Sequence, residues 1–136
     1  MSKGAQVAGL DIAEDRLDLL RRELGDRFLP TPTDVTNESS VEDAVAAVSR
    51  AFSSLDVAFN IAGASKIGAI VYLDEESWNF TVDITQKGVF FSIKHEARQM
   101  ISQGSGGGIV NVSSLNARVP MKLGAAYATA RLARKC

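Results

Sequence analysis

Four short apolar runs, each ending on small or polar residues, alternate with helix-patterned stretches, and this constrains the fold more than any other feature. Ala5-Gln-Val-Ala-Gly-Leu10 runs into Asp11, and Phe28-Leu29 leads toward Asp34-Val35. Leu55 to Phe59 runs into Asn60-Ile-Ala-Gly63, and Ile109-Val-Asn-Val112 into Ser113-Ser114. Between the first two, Leu17, Leu20 and Leu24 recur at helical spacing and Gly25 sits where a helix stops. Val41, Ala44, Val45, Val48 and Phe52 form a second stripe behind a cap at Asn37 or Ser40. Val82, Val89, Ile93, Ala97 and Met100 mark one face of a long helix entered at Asp74, and a further helix opens at Ala125. Strands alternating with helices predict an open α/β fold, with a doubly wound parallel sheet covered on both faces. Pro30 and Pro32 cannot donate to a ladder, so the second strand is expected at an edge.

Composition removes several classes of function. At 136 residues there is room for one domain, and 46% apolar content can build its core. A net charge of -1 offers no basic field to nucleic acid or anionic lipid. No apolar run approaches the ~20 residues that span a bilayer, and Met1-Ser-Lys-Gly4 has no apolar core of a signal peptide. A cytoplasmic protein without membrane or nucleic-acid partners is expected. One cysteine, Cys136, and one histidine, His95, exclude a cysteine/histidine metal site. His95 stands among Lys94, Glu96 and Arg98, so a solvated helix face is expected there.

In open α/β sheets, ligands bind beyond the carboxyl ends of the strands. Thirteen residues after Ser114, at the start of the last helix, comes Tyr127. A hydroxyl on a strand end and a phenol on the next helix can converge on one substrate oxygen, the serine holding it and the phenol passing it a proton. A free phenol titrates near ~10, so base work requires a neighbouring cation. Arg131 follows Tyr127 at i,i+4 and is expected on the same face.

These residues resemble the short-chain dehydrogenase/reductase family. Asn60-Ile-Ala-Gly63 is similar to its Asn-Asn-Ala-Gly segment, Ile109-Val-Asn-Val-Ser-Ser114 to its active-serine strand, and Tyr127-Ala-Thr-Ala-Arg131 to its Tyr-x-x-x-Lys motif. Val7-Ala-Gly-Leu-Asp11 resembles the second strand with its ribose-binding acid, and Asp34-Val35 the pair beside the adenine. The resemblance implies a Rossmann-like domain acting on a small alcohol or carbonyl substrate with NAD. Ser114 would polarise the carbonyl, Tyr127 would act as acid/base, and Arg131 would supply the cation. Asp11, Asp34, Val35, Asn60, Ala62 and Gly63 would line the cofactor, with Asp11 disfavouring the 2′-phosphate of NADP.

Three departures accompany the matches. The chain starts at what corresponds to the family's second strand, without its central first strand and glycine turn; Gly104–Gly108 precedes a strand instead of opening a helix. The family lysine is Arg131, and its active-site asparagine is Thr85. Residues 1–136 are therefore expected to form a partial NAD(P)-binding domain, incomplete at both ends and inactive alone. It would be marginally folded, paired with another chain, or rearranged in its sheet. The alternative is a non-catalytic piece that binds full-length relatives or further copies of itself through the Val82–Met100 helix. A flavodoxin-like or receiver-type domain fits less well, because the acidic cluster of a receiver is missing.

Overall fold

In a computed structural model, which describes residues 4–119 and 121–133, the alternation becomes nine elements in the expected order. They are β1 (Val7–Asp11), α1 (Glu14–Leu24), β2 (Phe28–Pro32), α2 (Glu38–Phe52), β3 (Val57–Asn60), α3 (Glu75–Val82), α4 (Gly88–Ser102), β4 (Gly108–Asn111) and α5 (Ala125–Leu132). A π-helical turn, Asp83–Lys87, joins α3 to α4. Cys136 and Met1-Ser2-Lys3 lie outside the described residues.

Local chemistry sets the helix ends. Glu14 and Asp15 open α1 and Arg21 and Arg22 close it, matching the macrodipole, and Gly25 ends it at a φ of 72°. Of the two candidate caps for α2, Asn37 is used: its side chain accepts from the amides of Ser39 and Ser40. The Ser40 hydroxyl accepts instead from the Asp34 amide, at 3.0 Å.

β1 pairs with β2 in parallel, Val7 opposite Phe28 through Asp11 opposite Pro32. β3 pairs with β4 in parallel, Val57 opposite Gly108 through Asn60 opposite Asn111. The parallel sheet is therefore present as two pairs, in keeping with the partial doubly wound fold expected of residues 1–136. Among the described residues no strand lies between β1 and β3, so each keeps an open edge. β2 is an edge strand, which accommodates Pro30 and Pro32.

Helices join what the strands do not. α2 lies on β2, α4 lies on β3 and β4, and α2 packs against α4. Val41, Ala44, Val45 and Val48 of α2 and Val89, Phe91 and Met100 of α4 are buried there. On β1 and β2, α1 buries Leu17 alone of its leucine stripe, since Leu20 and Leu24 stay exposed. Phe28 fills the space beside Gly9, where a Cβ would lie 2.5 Å from the ring.

His95 is a correction to the solvated face expected for it. It is only 5% exposed, and its Nε2 lies 3.1 Å from Glu38 Oε1, which also accepts from Lys94 Nζ at 2.5 Å. Glu42, one turn further along α2, reaches to 4.0 Å of Nδ1. Lys94 reaches the same Glu38 carboxylate and Glu96 is buried, and α2, which packs on α4, covers the row on which His95 stands. Hydrogen bonds from Lys94 and then His95 hold the Glu38 carboxyl below its ordinary value. The apolar stripe expected over Val82–Met100 is also rotated. Val82, Ile93 and Ala97 are half-buried, and Thr81, Thr85, Gly88, Ser92, His95 and Glu96 face inward.

A Gly9→Ala substitution drives a Cβ into the buried Phe28 ring and is expected to destabilise the fold by about 1–3 kcal/mol. The midpoint of chemical denaturation measures this; an unchanged midpoint would show that the ring swings clear at no cost.

Candidate active site

The carboxyl ends of β3 and β4 are held together by side-chain amides. Asn60 and Asn111 are in register, and Asn60 Nδ2 donates to Asn111 Oδ1 at 3.0 Å and to Glu96 Oε2 at 2.9 Å. Glu96 projects from α4 and is buried. Burial raises its pKa above the ordinary 4.5, opposed by the hydrogen bond from Asn60. The sequence reading missed this residue by placing it on a charged face. The signal was present: Gly88, Ser92, Glu96 and Met100 form one i,i+4 row, and all four are buried.

Beyond Asn60 the chain has no regular structure until Ile70, so its backbone groups need partners from elsewhere. Two wholly buried threonines supply them. Thr85 Oγ1 donates to the Ala64 carbonyl at 2.9 Å and lies 3.2 Å from the Ala64 amide that donates to it. Thr81 Oγ1 donates to the Ser77 carbonyl and accepts from the Lys66 amide. Thr85 lies in the π turn, a feature that often marks functional sites. At the position where the resembling family carries asparagine, this chain thus has a backbone clamp.

Tyr127 is half-buried in the first turn of α5, and the Arg131 guanidinium stacks over its ring at 4.9 Å, as the i,i+4 spacing predicts. Arg131 is buried and donates from Nη1 to the Val112 carbonyl at 2.7 Å. Its Nε has no hydrogen-bond partner among the described residues. On its other side the guanidinium lies against Gly63, in the space a Cβ would need. Glycine there admits Arg131, where the family resemblance implies close approach of a cofactor. Ser113 Oγ donates to the Arg131 carbonyl at 3.2 Å, and the Ser114 hydroxyl accepts from the Asn116 amide at 3.2 Å. Gly63, Thr85, Val112, Ser113, Tyr127 and Arg131 are thereby one linked group, with half-buried Ser114 beside it on the loop after β4.

The remaining candidates sit at the other strand pair. Asp11 is exposed at the end of β1, where its Oδ1 accepts from the Ala13 amide. Asp34 Oδ1 accepts from the amide and hydroxyl of Thr36, forming the turn before α2. Val35 packs on Gly88, where a Cβ would lie 2.9 Å from it. The two ends therefore meet the same helix: Val35 touches the residue that opens α4, and Thr85 precedes that residue by one turn. Ala62 and Gly63 are exposed. Among the described residues no cluster of acids, histidines and cysteines could hold a metal ion, and no helix is long and apolar enough to cross a membrane.

Thr85→Val, nearly isosteric, leaves both backbone groups of Ala64 without their partner and is expected to cost about 1–3 kcal/mol. Thr85→Ser should recover most of it; equal denaturation midpoints for Val and Thr would show the clamp to be idle. Glu96 gives a pH signature. Its folded pKa is raised, so its contribution to stability is full below 4.5 and is lost as pH rises through the folded value. Glu96→Gln should flatten that decline in a series of denaturation curves, and parallel profiles for the two proteins would refute it.

The family model described as short chain dehydrogenase matches residues 1–135. Relatives include an NAD-dependent glycerol dehydrogenase of Listeria innocua, 32% identical over 131 residues, covering 96% of this chain and 51% of the relative. A cis-4-hydroxycyclohexanecarboxylate dehydrogenase of Sinomonas cyclohexanicum is 37% identical, covering 95% of this chain and 53% of the relative. Among solved structures, a short chain dehydrogenase from Mycobacterium smegmatis superposes with a TM-score of 0.92 at 27% identity, covering 96% of this chain and 55% of that one. A serine dehydrogenase complexed with NADP+ superposes at 0.88 with 23% identity, covering 96% of this chain and 53% of that one, which speaks for the fold alone. The chain spans about half the length of the curated relatives it matches. Its strands and helices are thus part of a Rossmann-like fold, and the chain belongs to the short-chain dehydrogenase/reductase family.

Proposed function

We propose that residues 1–136, a partial NAD(P)-binding domain, carry the substrate-side half of an NAD-linked oxidoreductase site for a small alcohol or carbonyl compound. The observation that supports this most is the stacked Tyr127–Arg131 pair, tied through Val112 and Ser113 to the loop after β4 that carries Ser114. In this reading Ser114 orients the substrate oxygen and Tyr127 Oη gives it a proton or takes one. The permanent charge of Arg131 stabilises the phenolate left behind. A nicotinamide supplies or accepts the hydride when bound. Asn60, Ala62 and Gly63 would line its sugar, Asp34 and Val35 its adenine, and the exposed Asp11 carboxylate would take the ribose hydroxyls and repel a 2′-phosphate. The name of the Listeria relative, which specifies NAD, supports that choice over NADP. Among the described residues no glycine-rich turn opens a helix to clamp a diphosphate, so turnover by this chain alone is expected to be absent. We place the protein in the cytoplasm, without nucleic-acid or membrane partners.

A second reading, an interaction piece that binds full-length relatives or another copy of itself, draws on the open edges of β1 and β3. Val57, Phe59 and Phe90 are more than half exposed, which adds to it. Co-purification with a full-length relative would favour it, and a lone monomer would count against it.

Calorimetry with NADH and NADPH on the chain tests the first reading. NADH is expected to bind in about the millimolar range, equivalent to about 4 kcal/mol, and more tightly than NADPH, with Asp11→Asn erasing the difference. Equal binding of the two by the parent chain would remove the role given to Asp11, and no heat with either would sink the cofactor assignment. Micromolar binding with turnover abolished by Tyr127→Phe would overturn the expectation that the chain is inactive alone.

A further inference from the structure

Glu96 lies outside every motif the sequence displays, yet it is a carboxyl only 8% exposed at the centre of the inward row of α4. Burying such a group is unfavourable unless a partner receives it. The partner is the side-chain amide of Asn60, 2.9 Å away, whose second N–H is taken by Asn111 Oδ1 at 3.0 Å. Both hydrogens of the Asn60 amide are therefore committed to protein acceptors, one on a helix and one on the neighbouring strand. A primary amide has two N–H groups and one carbonyl oxygen, so Asn60 can offer only Oδ1 to anything beyond this network. Rotating the amide by half a turn would set two oxygens against each other at Glu96 and again at Asn111. Without an acceptor at position 96, one of those two penalties disappears.

We propose that Glu96 is a positioning residue of the site: with Asn111 it locks the Asn60 amide so that this strand end presents a hydrogen-bond acceptor and selects a ligand group that donates. A ribose hydroxyl and a carboxamide N–H are such groups, and an anionic oxygen is not. This rests on the reading of Asn60 as a cofactor-lining residue. The locking and the ligand preference are separately measurable.

The test is NMR of the Asn60 side-chain NH2 group, assigned by its loss in Asn60→Asp, in the parent chain, Glu96→Gln and Glu96→Leu. In the parent both Asn60 protons should exchange more slowly, about tenfold or more, than those of the exposed Asn37. Glu96→Gln keeps an acceptor and should retain that protection, whereas Glu96→Leu should lose it. NADH titration followed by the same signals should show about tenfold weaker binding for Glu96→Leu, the loss of one hydrogen bond, and near-parental binding for Glu96→Gln. Parental exchange at the solvent rate would overturn the proposal even if Glu96→Leu fails to fold. So would like behaviour of the Gln and Leu variants. If the parent shows slow exchange but binds no NADH, the lock stands and the cofactor reading of the site falls.

Discussion

The packing of α2 against α4 is the interaction on which the rest of this structure depends. Two parallel strand pairs share no ladder hydrogen bond, so their relative placement rests on helices. α2 packs against α4, and Val41, Val45 and Val48 of the one and Val89 of the other are buried. Glu38 adds a polar bridge from the start of α2 to Lys94 and His95. Apolar burial drives the association without specifying a register, whereas a hydrogen-bonded carboxylate beside a buried histidine does specify one. Val35 extends this contact to the first residue of α4, so the end of the β1–β2 pair is keyed to the helix that also serves the other pair.

With α4 fixed, the site is assembled from buried polar groups that have found partners. Thr81 and Thr85 take the backbone of the segment after β3, Glu96 takes Asn60, and Asn60 takes Asn111. Arg131 completes the arrangement from α5 by bonding the end of β4 and filling the space beside Gly63. A polar group in a low-dielectric interior is unfavourable when unpaired and strongly orienting when paired. The residues around Asn60, Gly63 and Tyr127 are held by such pairs, each reaching across to a different element.

The elements themselves were readable because each rests on a local signal. Apolar runs marked the four strands, Gly25 and Asn37 marked helix ends by backbone freedom and capping chemistry, and the i,i+4 spacing of Tyr127 and Arg131 foretold their stacking. The errors share one cause. His95 and Glu96 have charged neighbours in sequence, and a charged stretch reads as a solvated face. Yet a π turn before α4 and the cover of α2 turned that part of the helix inward. Asn37 and Ser40 were equivalent as caps until the chain path gave Ser40 a different partner, the Asp34 amide.

The sequence alone determined the order of strands and helices, the family to which the chain belongs, and the residues offered at each strand end. Those properties are carried by local periodicity and by motifs whose spacing is fixed along the backbone. Only the tertiary structure decided that Thr85 grips Ala64, that Arg131 occupies the open side of Gly63, and that Glu96 holds Asn60. Each of these contacts joins residues far apart in sequence: Thr85 and Ala64 are 21 positions apart, and Glu96 and Asn60 are 36. A local pattern cannot specify which of several buried polar groups will meet; that is fixed when the helices close on one another and every donor left inside must find an acceptor.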